Sequence, residues 1–214
     1  MKRPRASAHD HRVPAACLIV FLAIWVALGI APSYREDWVL ENLPTFLGVP
    51  LVVLGYRWFR FSDRAYIQGT IFVILHTIGS HYTYSEVPLG DVVRDYFGLA
   101  RNHYDRLVHG AFGFLLLRPI RELGFRRKRE PGELATLYFS VAGVSWWSLI
   151  YEIVEWLTAQ VVDPAAGKAF LGTQGDPWDA EKDMACALCG ALTAAAVEWA
   201  IDRRAGAGAP RSRR

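Results

Sequence analysis

Ionisable residues gather at the ends of four apolar segments of this chain. Charge at membrane depth is costly, so such residues are rare in a membrane segment and usually functional. Imidazole and carboxylate groups together suit zinc, iron or manganese better than calcium. We therefore expect these segment ends to form one polar site that binds a divalent metal. The candidate ligands are His76, His81, His103, Asp105, His109, Asp179 and Asp183.

Asp105 and His109 form the densest motif. They are four residues apart, so on a helix they share a face and can bind one ion or each other. His103 precedes them by about half a turn from Asp105 and belongs either to the helix or to the loop before it. An aspartate near a helix start also favours the positive end of the helix dipole. That explanation accounts for Asp105 but not for His109, which lies a turn deeper.

The two histidines of the third segment are harder to interpret. His76 and His81 are five residues apart, about 140° around an ideal helix, so they do not share a face. Gly79 could loosen the last turn and bring them together. Otherwise they are hydrogen-bonding histidines at the membrane surface, and the sequence leaves both interpretations open.

Glu152 and Glu155 are the candidate general bases. They are three residues apart, on one face of a helix. Two adjacent buried carboxylates repel each other, so either a cation lies between them or one holds a proton. The alternative is that both are solvated among lipid headgroups. The candidate catalytic set is completed by two cations that could hold an anionic headgroup, Arg101 and Arg106.

Three aspartates lead into the last apolar segment. Asp176 followed by Pro177 is typical of an N-cap with proline at the first helical position, and Asp179 would then be the third helical residue. Asp176 could therefore serve only as a cap. Asp179 and Asp183 are four residues apart on one face, and Asp183 lies a turn further in, where no cap is needed. Asp183 is the preferred ligand of the three.

Six apolar segments must position these residues. A span needs about 20 mostly apolar residues. The clearest spans are 13–34, 65–85 and 134–151, and the weaker ones are 38–58, 103–121 and 183–201. We predict an all-α membrane domain of six transmembrane helices over residues 13–201, between a basic tail at 1–12 and a basic, disordered tail at 202–214.

The basic residues predict the orientation of this bundle. Cytoplasmic loops of membrane proteins carry an excess of lysine and arginine. If the six spans alternate, one side holds 18 of the 24 basic residues, including both tails. That side is expected to be cytoplasmic. The other side holds 14 of the 21 acidic residues and four of the six histidines, a distribution expected of a periplasmic cation site.

Composition argues against several other functions. The basic tails lack any stacking or groove-reading pattern, so we do not expect nucleic-acid binding. Cys186 and Cys189 form a C-x-x-C within an apolar helix, where small residues that ease helix packing are the better explanation than redox or zinc chemistry. The sequence contains no serine or cysteine nucleophile motif and no glycine-rich phosphate loop.

Four strings carry a resemblance to a known family. They are HYTYSEVP at 81–88, RNHYDRLVHG at 101–110, YEIVEW at 151–156 and GTQGDPWDAEKDM at 172–184. Through them the stretch 71–192 resembles the YjdF-like bacterial inner-membrane family, whose function is not established. The resemblance implies a multi-pass helical protein of the cytoplasmic membrane. The acids of the fifth span and the Asp183…Gly190 pattern are also similar to VanZ-like envelope proteins, although the Gln/Arg stretch of those proteins is only partly matched.

Three functions remain open. The first is a metal-dependent hydrolase or transferase that acts on a lipid or envelope precursor at the periplasmic face. The metal would polarise a phosphoryl or acyl oxygen and activate water. The second is a cation or proton carrier that uses the same carboxylates as a relay. The third is a structural or accessory protein whose polar residues join helix ends. Membrane lipids are the expected partners in each case.

Overall fold

The computed structural model describes residues 11–125, 133–162, 167 and 170–207. The regular secondary structure of these residues is helical. No strand occurs in these residues, which confirms the all-α prediction. The helices are α1 Arg12–Gly29, α2 Arg35–Glu41, α3 Leu43–Gly55, α4 Asp63–Tyr82, α5 Pro88–Phe97, α6 Tyr104–Phe125, α7 Glu133–Val161 and α8 Asp179–Ala207, with a short 3₁₀ turn at Tyr84–Glu86.

Three of the described helices are long and apolar enough to cross a membrane: α1, α7 and α8. A fourth span results if α2 and α3, which meet at an angle of 42°, count as one broken helix. Helices α4 and α6 have 20 and 22 residues and so reach the length of a span, about 30 Å. Neither is among the helices apolar enough to cross a membrane, because polar residues lower their hydropathy. The count of six spans and the side of the termini stay predictions.

The two predicted tails lie mostly outside the described residues, which omit 1–10 and 208–214. Helix α8 continues to Ala207, so residues 202–207, which we expected to be disordered, are helical. The extension places Asp202 on α8, where it forms an ion pair with Arg121 of α6.

Helices α6 and α8 run in the same direction at close range. A Cβ atom on Gly113 would lie 1.9 Å from the carbonyl oxygen of Ala187, and one on Gly190 would lie 2.1 Å from that of Gly110. Such small residues allow two helix backbones to touch inside a membrane. Further along, Leu117 of α6 and Ala191 of α8 are fully buried against α7.

At its C-terminal end the α6–α8 pair carries a balanced set of ions, which we call the paired cluster: Arg118, Arg121, Glu198 and Asp202. Two Arg118 nitrogens donate to Glu198, at 2.5 Å and 2.9 Å. Arg121 donates to Glu198 at 3.2 Å and to Asp202 at 3.0 Å. Two cations therefore face two carboxylates.

Buried Asn42 joins the first helices to α4. It lies at the bend between α2 and α3, where its amide nitrogen donates to the carbonyl oxygen of Trp38 and to the Ser80 hydroxyl on α4. Its side-chain oxygen accepts from the Trp25 indole of α1 at 2.7 Å. The bend therefore has a specific set of partners, and it fixes the end of α2 against α4.

Candidate functional site

Asp105 and His109 of α6 meet Asp183 of α8 at the N-terminal end of the helix pair. One ligand atom from each of the three lies within 4.8 Å of the other two. His109 Nε2 is 3.5 Å from Asp105 Oδ1. The i,i+4 spacing predicted that Asp105 and His109 share a face, and the parallel packing of α8 supplies the aspartate. Asp183 is 3% exposed.

Glu152 of α7 approaches the same histidine from the other side. Its Oε1 atom is 3.6 Å from His109 Nδ1, so each ring nitrogen faces a carboxylate. We call Asp105, His109, Glu152 and Asp183 the acidic cluster. Glu152 Oε1 and Asp183 Oδ1 are both buried and have no hydrogen-bond partner among the described residues. A buried polar atom without a partner is expensive, and a buried charge more so.

Behind the acidic cluster lies a second group of acids that the sequence analysis partly missed. Glu41 of α2 is 2% exposed, and the Tyr151 hydroxyl lies 3.4 Å from its Oε2 atom. Tyr151 also contacts Glu155, which interacts electrostatically with Glu152 and Glu41. The sequence analysis names no candidate residue on the helix of Glu41. The i,i+4 spacing of Asp37 and Glu41 at the start of that apolar segment was the available signal.

The structure does not bring His76 and His81 into the acidic cluster. Both ring nitrogens of His76 are engaged, Nδ1 with the Tyr84 hydroxyl at 2.5 Å and Nε2 with the carbonyl oxygen of Glu41 at 2.9 Å. His81 Nδ1 lies 2.6 Å from the carbonyl oxygen of Leu28 at the end of α1. Helix α4 is continuous through both positions, so Gly79 does not unwind the turn between them.

The two candidate arginines form ion pairs beside the acidic cluster. Arg101 is buried and pairs with Asp179 through two nitrogens. Arg106 donates to Asp176 at 2.5 Å, and its Nε lies 4.0 Å from Asp183. Asp179 is therefore neutralised by arginine and is less available to a metal than Asp183.

His103 lies in the loop immediately before α6, outside the acidic cluster. Its Nδ1 atom is 3.3 Å from an Arg106 nitrogen. The sequence left open whether this histidine belongs to helix or loop, and the structure assigns it to the loop. It therefore lies with Arg106 rather than with the carboxylates of the acidic cluster.

Reciprocal hydrogen bonds position the start of α6. The Asn102 backbone nitrogen donates to Gln174 Oε1 at 2.9 Å, and Gln174 Nε2 donates to the Asn102 backbone carbonyl oxygen at 3.0 Å. The Asn102 side chain also accepts from the Tyr104 backbone nitrogen, as a helix cap does. These contacts link residues 72 positions apart, and no sequence spacing indicated them.

Asp176 lies just before α8, which begins at Asp179 rather than at Pro177 as predicted. Its carboxylate accepts from the Trp178 backbone nitrogen at 3.1 Å and from Lys182 at 2.7 Å. The hydrogen bonds from Lys182, Trp178 and Arg106 hold the pKa of Asp176 well below its usual range. Asp176 therefore combines a capping role with an ion-pair role.

Carboxylates outnumber cations at this end of the bundle. Around the acidic cluster, seven described carboxylates lie near three basic side chains and His109, with His103 beside Arg106 and His76 at the Glu41 backbone. The carboxylates belong to Glu41, Asp105, Glu152, Glu155, Asp176, Asp179 and Asp183, and the cations to Arg101, Arg106 and Lys182. The acidic cluster itself offers an imidazole and three carboxylates, a donor set that fits zinc, iron or manganese.

A shallow groove of about 460 Å³ runs along the α6–α8 surface from Arg106. Its floor is formed by small residues at the seam between the helices, and its walls include Leu107 and Phe114. Cys186 and Cys189 line it as free thiols. The groove therefore joins an apolar surface to an arginine that contacts the acidic cluster.

Comparison with known proteins places most of the chain in one group. Residues 13–204 match a family described as predicted membrane protein (DUF2238). The chain is 34% identical over 170 residues to the inner membrane protein YjdF of Escherichia coli K12, a match that covers 79% of this chain and 81% of that protein. No solved structure matches it.

Proposed function

The chain belongs to the DUF2238 family of membrane proteins, and from that premise we propose that its acidic cluster binds a divalent transition metal for hydrolysis or group transfer on a lipid or envelope precursor. It is a protein of the inner membrane. The observation that carries the proposal is that ligand atoms of Asp105, His109 and Asp183 lie within 4.8 Å of one another. Asp183 Oδ1 is buried and has no hydrogen-bond partner among the described residues, and a cation bound by these three residues would satisfy it.

The proposed topology has six spans with both termini in the cytoplasm. The 18-to-6 division of basic residues between the two sides supports it. So does the packing of α4 and α6, which are long enough to span and lie against α1, α7 and α8. In this topology the acidic cluster opens to the periplasm and the paired cluster lies at the cytoplasmic end.

Each residue of the acidic cluster has a proposed part. Asp105, His109 and Asp183 would hold the metal, and Glu152 at the other imidazole nitrogen would keep His109 in position. The bound metal would polarise a phosphoryl or acyl group and acidify water. A water would add to the phosphorus or the carbonyl carbon, and Glu155 would accept the proton that the water loses. That proton would then pass to the leaving oxygen as its bond breaks.

The groove and Arg106 favour a lipid as the substrate. An acyl chain gains by lying along the apolar groove between α6 and α8. Its anionic headgroup would then lie beside Arg106, whose Nε is 4.0 Å from Asp183 and has no hydrogen-bond partner among the described residues. Guanidinium groups bind phosphate and carboxylate oxygens strongly. Arg101 is buried and paired with Asp179, so we assign it to holding the loop rather than the substrate.

A one-sided site is favoured over a carrier. A relay across the membrane needs polar groups along its whole length. Between the two clusters the described part of α6, α7 and α8 is packed with fully buried apolar residues, Leu117, Val144 and Ala191. Two ion pairs favour a structural role for the residues beside the acidic cluster: Arg101 with Asp179, and Arg106 with Asp176. A structural role is therefore the second candidate for the whole site.

Metal content of the purified protein tests the proposed site. We expect about one zinc, iron or manganese ion per chain in detergent-purified native protein. Asp183→Asn should weaken metal binding at least tenfold, because it removes a ligand. The matched control is Asp95→Asn, the same substitution at a side chain 70% exposed on α5, which should keep the metal. Folded native protein that takes up none of the three metals would overturn the proposal and favour the structural role.

Turnover tests the proposed chemistry separately. Metal-loaded protein in vesicles of bacterial inner-membrane lipid should release a water-soluble headgroup or transfer product, detected by mass spectrometry. Glu155→Gln should abolish that release while keeping the metal, because it removes the proton acceptor and no ligand. Metal-loaded native protein that leaves these lipids intact would limit the proposal to metal binding.

A further inference from the structure

Helix α5 (Pro88–Phe97) exposes an apolar stripe. Leu89, Val92 and Tyr96 recur at helical spacing and are 61%, 65% and 82% exposed, and Phe97 beside them is 67% exposed. Such a continuous stripe on one face is typical of a helix that buries this face against something apolar. Nothing in the described part of the chain covers it.

The opposite side of α5 is held by the protein. A Cβ atom on Gly90 would lie 1.8 Å from the Asn102 side-chain oxygen, so glycine is needed for this approach. Asn102 donates to Asp91 at 3.0 Å, and Arg94 pairs with Asp91 at 2.7 Å and with Asp95 at 2.8 Å. The polar side of α5 is therefore fixed against the loop before α6, and the apolar stripe points away from it.

The position of α5 indicates what meets this stripe. The helix connects the end of α4 to the start of α6, so it lies level with the ends of the membrane bundle. With 10 residues it is about 15 Å long, half of what a span requires. A short amphipathic helix at this level lies in the plane of the lipid headgroups, with its apolar face toward the acyl chains.

We infer that α5 is an interfacial helix whose Leu89, Val92, Tyr96 and Phe97 stripe inserts into the outer edge of the bilayer. The lipid surface is its partner, continuous with the apolar surface of the neighbouring spans. Since Asn102 both contacts α5 and caps α6, this contact fixes the depth of the acidic cluster relative to the headgroups. The inference holds whether or not the acidic cluster binds a metal.

Spin labels on the two faces of α5 test the inference. In a variant with Cys17, Cys186 and Cys189 replaced by serine, a nitroxide is attached at Val92→Cys or at Asp95→Cys, two positions with similar exposure of 65% and 70%. In liposomes the label at 92 should collide severalfold more often with oxygen, which dissolves in lipid, than with a water-soluble nickel chelate. The label at 95 should show the reverse.

Two other outcomes would overturn the inference. Equal exposure of both labels to the nickel chelate would mean that the stripe faces water, and exclusion of both reagents at 92 would mean that protein covers it.

A photo-crosslinking residue, p-benzoylphenylalanine, at the same two positions repeats the comparison without removing cysteines. It should form lipid adducts at 92 and few at 95, whereas an adduct with a second chain at 92 would contradict the lipid assignment.

Discussion

At one end of the α6–α8 pair, Arg118 and Arg121 pair with Glu198 and Asp202, so that charges balance and their oxygens have partners. At the other end, the three carboxylates and one imidazole of the acidic cluster include two buried oxygens that have no hydrogen-bond partner among the described residues. The same two helices support both arrangements. Buried ions are tolerated where they are paired and hydrogen-bonded. The paired cluster meets that condition with its own residues, whereas in the acidic cluster three carboxylates share one histidine and the edge of Arg106. The proposed cation would complete the acidic cluster.

The largest expected effect is at the paired cluster. Arg118→Ala should destabilise the protein by about 3 kcal/mol, because it leaves Glu198 buried with only Arg121 as partner. The free energy of unfolding, measured by denaturant titration in detergent, checks this. Arg94→Ala is the control, since its ion pairs on α5 are exposed to solvent and should contribute less than about 1 kcal/mol.

A double variant sharpens this result. Arg118→Met together with Glu198→Leu should recover most of the loss, because it removes both charges rather than one. If Arg118→Ala were no more costly than Arg94→Ala, the paired cluster would not be a stabilising contact, and the contrast between the two ends would lose its basis.

At the acidic cluster, removal of one charge should stabilise the metal-free protein rather than destabilise it. In metal-free protein, Asp183→Asn removes one of the crowded acids and should stabilise the fold by about 1 kcal/mol, as substitutions at strained functional sites often do. With excess metal the order should reverse, because the native protein binds metal more tightly and gains more stability from binding. Thermal melting with and without chelator measures both. A variant less stable than native protein in chelator would show that the acids do not repel.

The smallest effect concerns pH and Asp176. Its pKa is held well below the usual range by Lys182, Trp178 and Arg106. A depressed pKa contributes stability in full above the ordinary aspartate value of about 4, and the contribution declines as pH falls below that value. The melting temperature of the native protein should therefore fall more steeply between pH 6 and pH 3 than that of Asp176→Asn. Lys182→Met should also reduce the slope, and identical slopes in all three would contradict the assignment.

Local spacing predicted the parts of this molecule that depend on a single helix. The all-α fold followed from the lengths of the apolar segments, and the shared face of Asp105 and His109 followed from their spacing of four residues. The choice of Asp183 over Asp179 as a ligand stays a prediction. Contacts between distant segments could not be predicted in this way. The pairing of Arg101 with Asp179 spans 78 positions, and the use of both His76 nitrogens depends on how α2 meets α4. Glu41 was missed because its segment was judged by its apolar middle rather than by its ends.

The glycine seam between α6 and α8 has a consequence for biosynthesis. Helix α8 supplies Asp179 and Asp183 and follows the other described helices in the chain, so a ribosome releases it after α6 and α7 have been made. Because a side chain at Gly190 would collide with the Gly110 backbone, α8 can approach α6 this closely only with glycine at that position. Asp183 therefore joins Asp105 and His109 after α6 has been made, once α8 has packed against it.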